Sequence, residues 1–327
     1  MAIGTDIVAA ASSGAMSWWQ AAILGLVEGI TEYLPISSTG HLILTASLLG
    51  LDEDPAVKPS VDAFNIVVQG GAILAVLGLY RERVLQMIRG LLGKDRAGLR
   101  LFALLVVAFL PAAILGVPLN DFIEAKLFHP GPVLAALALG GVYMMVLDRW
   151  KVRPMRQEDR AAEEAGHPID HGKDITNLSF RSALVVGLLQ AVAMWPGTSR
   201  SMMTITGGVL VGLRPRQAAE FSFLLGLPTL GGATVFKLYK TETGEGPGLF
   251  EMLGVAPIAI GVLVATVSAA IAVKWLVGFL TRHGLAAFGW YRLGLCAVLG
   301  GMIATGQLQI GPAPQDDGPQ ETEGVIE

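Results

Sequence analysis

The sequence predicts an all-α polytopic membrane protein: an inverted-topology repeat with two re-entrant helix hairpins and about six full transmembrane helices. Three observations predict it. Long apolar runs recur along 327 residues that are 53% hydrophobic and 15% charged, and about 20 such residues span a bilayer. Two segments in which an apolar helix meets a proline and a run of hydroxyl residues lie 161 or 162 positions apart. Lysine and arginine are segregated among the connecting segments in the manner of a sided membrane protein.

Residues 1–19 contain no Lys or Arg, so they lack the basic region of a cleavable signal peptide. Their closing Ser17-Trp18-Trp19 suits an interfacial anchor. Residues 20–50 form the first broken hairpin. Glu28 and Glu32 are four apart and share a helix face. Pro35 has no N–H and turns Leu34 away from the helical region, so the helix stops there. Ser37-Ser38-Thr39-Gly40 then starts a second helix with a hydroxyl cap, and His41 falls in its first turn. Asp52-Glu53-Asp54-Pro55 closes the hairpin as a polar turn. Residues 63–80, with Gln69-Gly70-Gly71, make the first full span. A basic loop over 81–100 leads to a span at 101–118 that contains Pro111 and Pro118. A short loop with Asp121, Glu124 and Lys126 precedes the span 131–148. Residues 149–181 carry both charge signs without hydrophobic periodicity and read as a solvated connection.

The second half echoes the first. Gly25-Leu26-Val27-Glu28 aligns with Gly187-Leu188-Leu189-Gln190, Pro35 to Thr39 with Pro196 to Arg200, and Gly50-Leu51 with Gly212-Leu213. Spans at 216–238, 253–280 and 286–306 follow. The domain reading is one integral membrane unit: repeat one over about 17–149, a polar cytoplasmic loop 150–181, repeat two over about 182–306, and a disordered tail 307–327 holding five acids and no Lys or Arg. If each hairpin leaves on the side it entered, each half crosses the bilayer three times. The halves are then inverted, a plan in which helix breaks meet near the midplane. Charge agrees: loops 81–100, 149–181 and 213–216 and the region 274–292 hold eighteen of the 23 Lys and Arg residues, which places that side in the cytoplasm and both termini opposite.

The chemistry concentrates at the two breaks. The first offers two carboxylates, three hydroxyls and an imidazole. The second, Trp195-Pro196-Gly197-Thr198-Ser199-Arg200-Ser201, replaces the carboxylates by Gln190 and Met194 and adds a guanidinium. An arginine inside a bilayer costs about 2.5–3.5 kcal/mol even on an insertion scale, so these groups are expected to face one another or a charged ligand. Arg200 suits a phosphate clamp through its planar fork, and the helix-start amides suit an anion. Glu28 and Glu32 repel one another unless compensated, and a Mg²⁺ or Ca²⁺ ion would do so. Ser38 is the candidate nucleophile and His41 the candidate base, with direct attack by His41 or by a Glu-activated water left open. Plainer readings stand beside these: hydroxyls as caps, Glu28 and Glu32 as structural partners of Arg200, and Gln69 and Gln190 as interhelical hydrogen-bonding groups.

The stretches Glu28-Gly29-Ile30-Thr31-Glu32-Tyr33-Leu34-Pro35-Ile36-Ser37-Ser38-Thr39-Gly40-His41 and Pro196-Gly197-Thr198-Ser199-Arg200-Ser201 resemble the two signature motifs of bacterial undecaprenyl-diphosphatases, also called bacitracin resistance proteins. The resemblance covers about 17–306. It implies hydrolysis of undecaprenyl diphosphate to undecaprenyl phosphate, which recycles the carrier lipid of peptidoglycan synthesis. It further implies a multi-pass protein of the bacterial inner membrane, a site open to the periplasm, a divalent metal and bacitracin resistance. By position, the functional residues are Glu28, Glu32, Ser38, His41 and Arg200, with Glu28 and Glu32 toward the metal. Ser37, Thr39, Thr198, Ser199, Ser201 and Gln69 are expected around the substrate. Met202, where many relatives have glycine, and Thr198 depart from the common pattern.

One rival remains in the sequence, because secondary transporters share the inverted plan: a carrier or flippase of a lipid phosphate or ion. The single cysteine, Cys296, excludes an internal disulfide and a cysteine-based metal site. His167 and His171 have metal-like spacing but fall in a polar loop. Nucleic-acid binding finds no support, since the basic residues follow membrane sidedness, and the oligomeric state is open, a homodimer included.

Overall fold

In a computed structural model, residues 16–51, 58–165, 174–243, 253–308 and 310 are described. The turn at 52–55, the histidines 167 and 171, most of the leader and nearly all of the tail lie outside them. Among the described residues every regular element is helical. In chain order these are α1 (Trp18–Thr31), α2 (Ser38–Leu48), α3 (Lys58–Leu79), α4 (Arg81–Leu91), α5 (Arg96–Leu127), α6 (Pro130–Leu147), α7 (Arg153–Glu164), α8 (Phe180–Val192), α9 (Arg200–Leu210), α10 (Pro215–Thr243), α11 (Val255–His283) and α12 (Ala286–Ala304). Six of the helical stretches are long and apolar enough to cross a membrane: Ser60–Leu79, Arg96–Gly116, Pro130–Glu164, Pro215–Phe236, Val255–His283 and Ala286–Ala304. They correspond one to one with the six spans read from the sequence.

Local chemistry sets the helix starts. Ser17 and Gln20 form a reciprocal capping box at α1, which satisfies two otherwise orphaned amides. Asp95 accepts from the Gly98 amide at 2.9 Å and caps α5. Ser179 accepts from the Ser182 amide at 3.0 Å and caps α8. Pro130 opens α6 from the first turn, where its missing N–H costs nothing.

Four details differ from the sequence reading. The basic segment 81–100 is two helices, α4 and the first turn of α5, rather than a loop. Helix α5 runs through Pro111 and Pro118 to Leu127 and absorbs the polar stretch expected to be a connection. Helix α6 continues through a π-helical turn at Asp148–Val152 into α7, so 153–164 is helix where a solvated connection was expected. Its Arg, Gln and Glu residues are good helix formers, and Glu158 and Asp159 meet Arg214 at 3.8 and 3.1 Å. Finally, Arg292, counted above with the cytoplasmic cations, is fully buried in α12.

Small residues let the hairpin arms approach their neighbours. Helix α1 lies along α11 and α8 along α5. A Cβ placed on Gly25 would sit 2.5 Å from the Gly261 carbonyl oxygen, and one on Gly187 would strike the Ala108 carbonyl. Such contacts are how helices associate tightly where lipid offers no hydrophobic drive. Gly71 meets the Val262 carbonyl in the same way, whereas Gly70 and Gly231 face open space. Each broken helix thus leans on a long helix from the other half of the chain.

Candidate active site

The two breaks are built alike. Helix α1 ends at Thr31 and α2 starts at Ser38; α8 ends at Val192 and α9 starts at Arg200. The residue before each second helix, Ser37 or Ser199, holds a positive φ of 72° or 77°. Non-glycine residues rarely adopt this conformation, and its cost is met by the surrounding contacts. The glycines that end α2 and α9, Gly50 and Gly212, also have positive φ. The starts of α2 and α9, the two serines and the two glycines keep an offset of 162, while the ends of α1 and α8, like Pro35 and Pro196, are 161 apart.

Interlocking hydrogen bonds join the breaks. Arg200 Nη2 meets Glu32 Oε1 at 3.2 Å, and Arg200 Nη1 donates to the Ser222 carbonyl at 3.1 Å. The guanidinium carbon lies 5.6 Å from the centre of the Tyr33 ring, and the Tyr33 hydroxyl donates to the Ala72 carbonyl at 3.1 Å. Ser201 Oγ, fully buried, donates to the Leu34 carbonyl at 2.8 Å and ties one break directly to the other. Ser199 Oγ accepts from the Met202 amide at 3.3 Å and so caps α9. Ser37 makes no such cap, so the hydroxyl cap expected on α2 is absent and its leading amides keep no side-chain partner there.

A cavity of about 220 Å³ opens between the breaks. Glu32, Ser37, Ser38, Thr39, Gln69, Ser199 and Arg200 line it, with Met194 and Trp195 among the other walls. Seven residues singled out in the sequence therefore share one space. Ser38 Oγ donates to Glu32 Oε2 at 2.8 Å. The serine thus pairs with the glutamate, where spacing alone had offered His41. His41 points elsewhere: its Nδ1 donates to the Ser37 carbonyl at 2.7 Å, and its Nε2 lies 2.7 Å from the Tyr291 hydroxyl. Thr198 is buried in the second break and is not among the cavity walls. Gln190 bridges helices as the plainer reading had it, accepting from Thr229 at 3.2 Å and reaching the Ala108 carbonyl at 3.5 Å.

Glu28 is the outlier. It is fully buried one turn before Glu32, and neither carboxylate oxygen has a hydrogen-bond partner. A buried charge without a partner is costly unless a proton or a cation meets it. Oxygen donors of this kind suit a hard divalent cation. Among the described residues no third His, Cys, Asp or Glu converges there. A cation held by Glu28 and the free lone pairs of Glu32 would draw its other ligands from substrate oxygens and water.

Residues 21–298 match the protein family described as "Bacitracin resistance protein BacA". The chain is 42% identical over 286 residues to an undecaprenyl-diphosphatase of Sorangium cellulosum, covering 87% of this chain and 86% of that one. It is 41% identical over 297 residues to the undecaprenyl-diphosphatase of Deinococcus radiodurans, covering 90% and 99%, and 44% identical over 274 residues to that of Pseudomonas fluorescens, covering 84% and 90%. The chain belongs to the bacitracin resistance protein BacA family. For this family member, motif reading located the cavity but not what supports it. Tyr33 lay inside the first motif without a role. Ser222 and Thr204, hydroxyl to hydroxyl at 2.6 Å behind Arg200, carried no signal. Arg292 did carry one, since it stands inside an apolar span, where a charge is a functional candidate by default. Its guanidinium donates to the carbonyls of Ala136 at 2.9 Å and Gly197 at 2.8 Å, pinning the second break onto α6.

Proposed function

We propose that this protein hydrolyses undecaprenyl diphosphate to undecaprenyl phosphate and inorganic phosphate, and so recycles the carrier lipid of peptidoglycan synthesis and raises bacitracin resistance when abundant. The observation that carries the reading is the Ser38–Glu32–Arg200 chain of contacts lining one cavity, in a chain of this family. Arg200 and the leading amides of α2 bind the diphosphate oxygens and meet the charge that develops on them. Ser38 Oγ attacks the terminal phosphorus and passes its proton to Glu32. The bond from that phosphorus to the bridging oxygen breaks, and undecaprenyl phosphate leaves with the bridging oxygen and takes the proton back from Glu32, which is again a carboxylate. Water, relieved of its proton by Glu32, then opens the phosphoserine and releases inorganic phosphate. A loose transition state asks for positioning and charge more than for a strong base, so a carboxylate suffices. A Mg²⁺ or Ca²⁺ ion held by Glu28 and Glu32 would neutralise phosphate charge.

The same reading makes the hairpins re-entrant from opposite leaflets, with the halves inverted and the cavity facing the periplasm of a bacterial inner membrane. Supporting it are the repeat of backbone geometry at offset 162 and the cations of α4, α7 and the α9–α10 turn. The prenyl chain stays among apolar helices while the headgroup enters between the breaks. The test is phosphate release from undecaprenyl diphosphate by the purified protein, with and without chelator. Release that depends on added Mg²⁺ or Ca²⁺ and fails in Ser38→Ala supports the mechanism; wild-type release by Ser38→Ala sinks it.

A further inference from the structure

His41 is the one motif residue whose polar atoms are both engaged away from the cavity. A carbonyl only accepts, so the 2.7 Å contact to Ser37 O places the ring proton on Nδ1. The neutral ring then leaves Nε2 as an acceptor, and the hydroxyl 2.7 Å away belongs to Tyr291 of α12. The two rings stack within 5° of parallel at 5.6 Å between centres, so the hydrogen bond and the stack hold one orientation together. Which nitrogen of an imidazole is protonated is set by what the other one contacts. Ser37 is the residue with positive φ whose carbonyl immediately precedes the Ser38 amide. The next residue of α12, Arg292, holds the Gly197 carbonyl of the other break. Two consecutive side chains of α12 therefore reach both breaks.

Resting on the reading that Ser38 and Arg200 form the active site, we propose that Tyr291 is a positioning residue for the reaction. Its hydroxyl occupies His41 Nε2 and fixes the tautomer whose Nδ1–H holds the Ser37 carbonyl. His41 then sets the geometry of the first break and takes no proton from the nucleophile. Ser38 has Glu32 for that purpose, at 2.8 Å. Tyr291 influences turnover only through His41.

The experiment is a set of variants assayed for phosphate release in detergent, with kcat and KM separated. An asparagine at 41 places its amide N–H where Nδ1 was and has no basic nitrogen, whereas a glutamine places it where Nε2 was. The proposal expects His41→Asn to keep kcat within about threefold, and His41→Gln and His41→Ala to lose about 10- to 100-fold, the scale of leaving the Ser37 carbonyl unpartnered. Tyr291→Phe should lose about fivefold in kcat with KM unchanged, the scale of one hydrogen bond. In the His41→Asn background Tyr291→Phe should cost nothing more. If His41 were the base, Asn, Gln and Ala would be equally inactive, and that result overturns the proposal. So does Tyr291→Phe at the wild-type rate, or an additive effect in the double variant. The underlying site reading fails separately, if Arg200→Ala or Ser38→Ala releases phosphate normally.

Discussion

Replacing Arg200 by lysine keeps the charge and removes the fork, which makes it a sharp test of how the second break serves the first. In the structure one guanidinium nitrogen meets Glu32 at 3.2 Å while another donates to the Ser222 carbonyl at 3.1 Å. A single ammonium cannot take both positions and still offer a flat pair of donors to a phosphate. One hydrogen bond to a charged group contributes about 1.5–3 kcal/mol, and each 1.36 kcal/mol is tenfold in rate. Losing one such bond in the transition state therefore predicts about a 10- to 150-fold fall in kcat/KM. The retained charge keeps Glu32 compensated, so thermal unfolding in detergent should shift little. Phosphate release measured across substrate concentrations, beside a melting curve, reads both. A lysine variant within twofold of wild type would refute the claim that the fork geometry matters. A variant that melts far lower would place Arg200 among structural ion pairs instead.

Other outcomes follow from particular contacts. Glu28→Gln should weaken the dependence on added Mg²⁺ at least tenfold, judged by metal titration of phosphate release, while leaving the Ser38–Glu32 contact in place. Gly187→Leu drives a side chain into the Ala108 backbone and should destabilise the fold by more than about 1–3 kcal/mol, seen as lost yield or a lowered melting temperature. Outside the membrane spans, burial pushes the Asp174 carboxyl up, but hydrogen bonds from Arg83 at 2.8 Å and from Thr176 outweigh it and hold it below its ordinary 3.8. A depressed carboxylate stabilises the fold above that ordinary value and ceases to as pH falls through the lowered one. Asp174→Asn should remove this part of acid sensitivity in a melting series, by a small amount because the carboxylate is 44% exposed and screened by solvent.

How much was legible in the sequence depends on the kind of signal. The six spans were, because about 20 apolar residues in a row leave few alternatives, and both breaks were, because proline beside hydroxyls marks a stop and a start. Seven cavity-lining residues were named for the same reason. The basic charges of 81–91 suggest a loop although Val84, Met87, Ile88 and Leu91 recur at helical spacing there, whereas 153–164 has too few large apolar residues to mark its surface helix. His41 was assigned to Ser38 by spacing, yet side chains three apart do not meet if one is drawn to another helix, and Tyr291 stands 250 residues away. Sidedness alone groups Arg292 with the cytoplasmic cations, because a tally of charges does not reveal that this one is buried. Long-range partners of this kind have no local pattern to betray them.

The leaning of each broken arm on a helix from the opposite half has a bearing on how the chain is made. Glu28 enters the translocation machinery more than 150 residues before Arg200, and α1 has no Gly261 to rest on until nearly four-fifths of the polypeptide has been synthesised. The first arm must wait in lipid or against the insertion apparatus, acids included, for a mate that does not yet exist. Halves expressed as separate polypeptides should accordingly be unstable alone and become competent only when produced together in one cell.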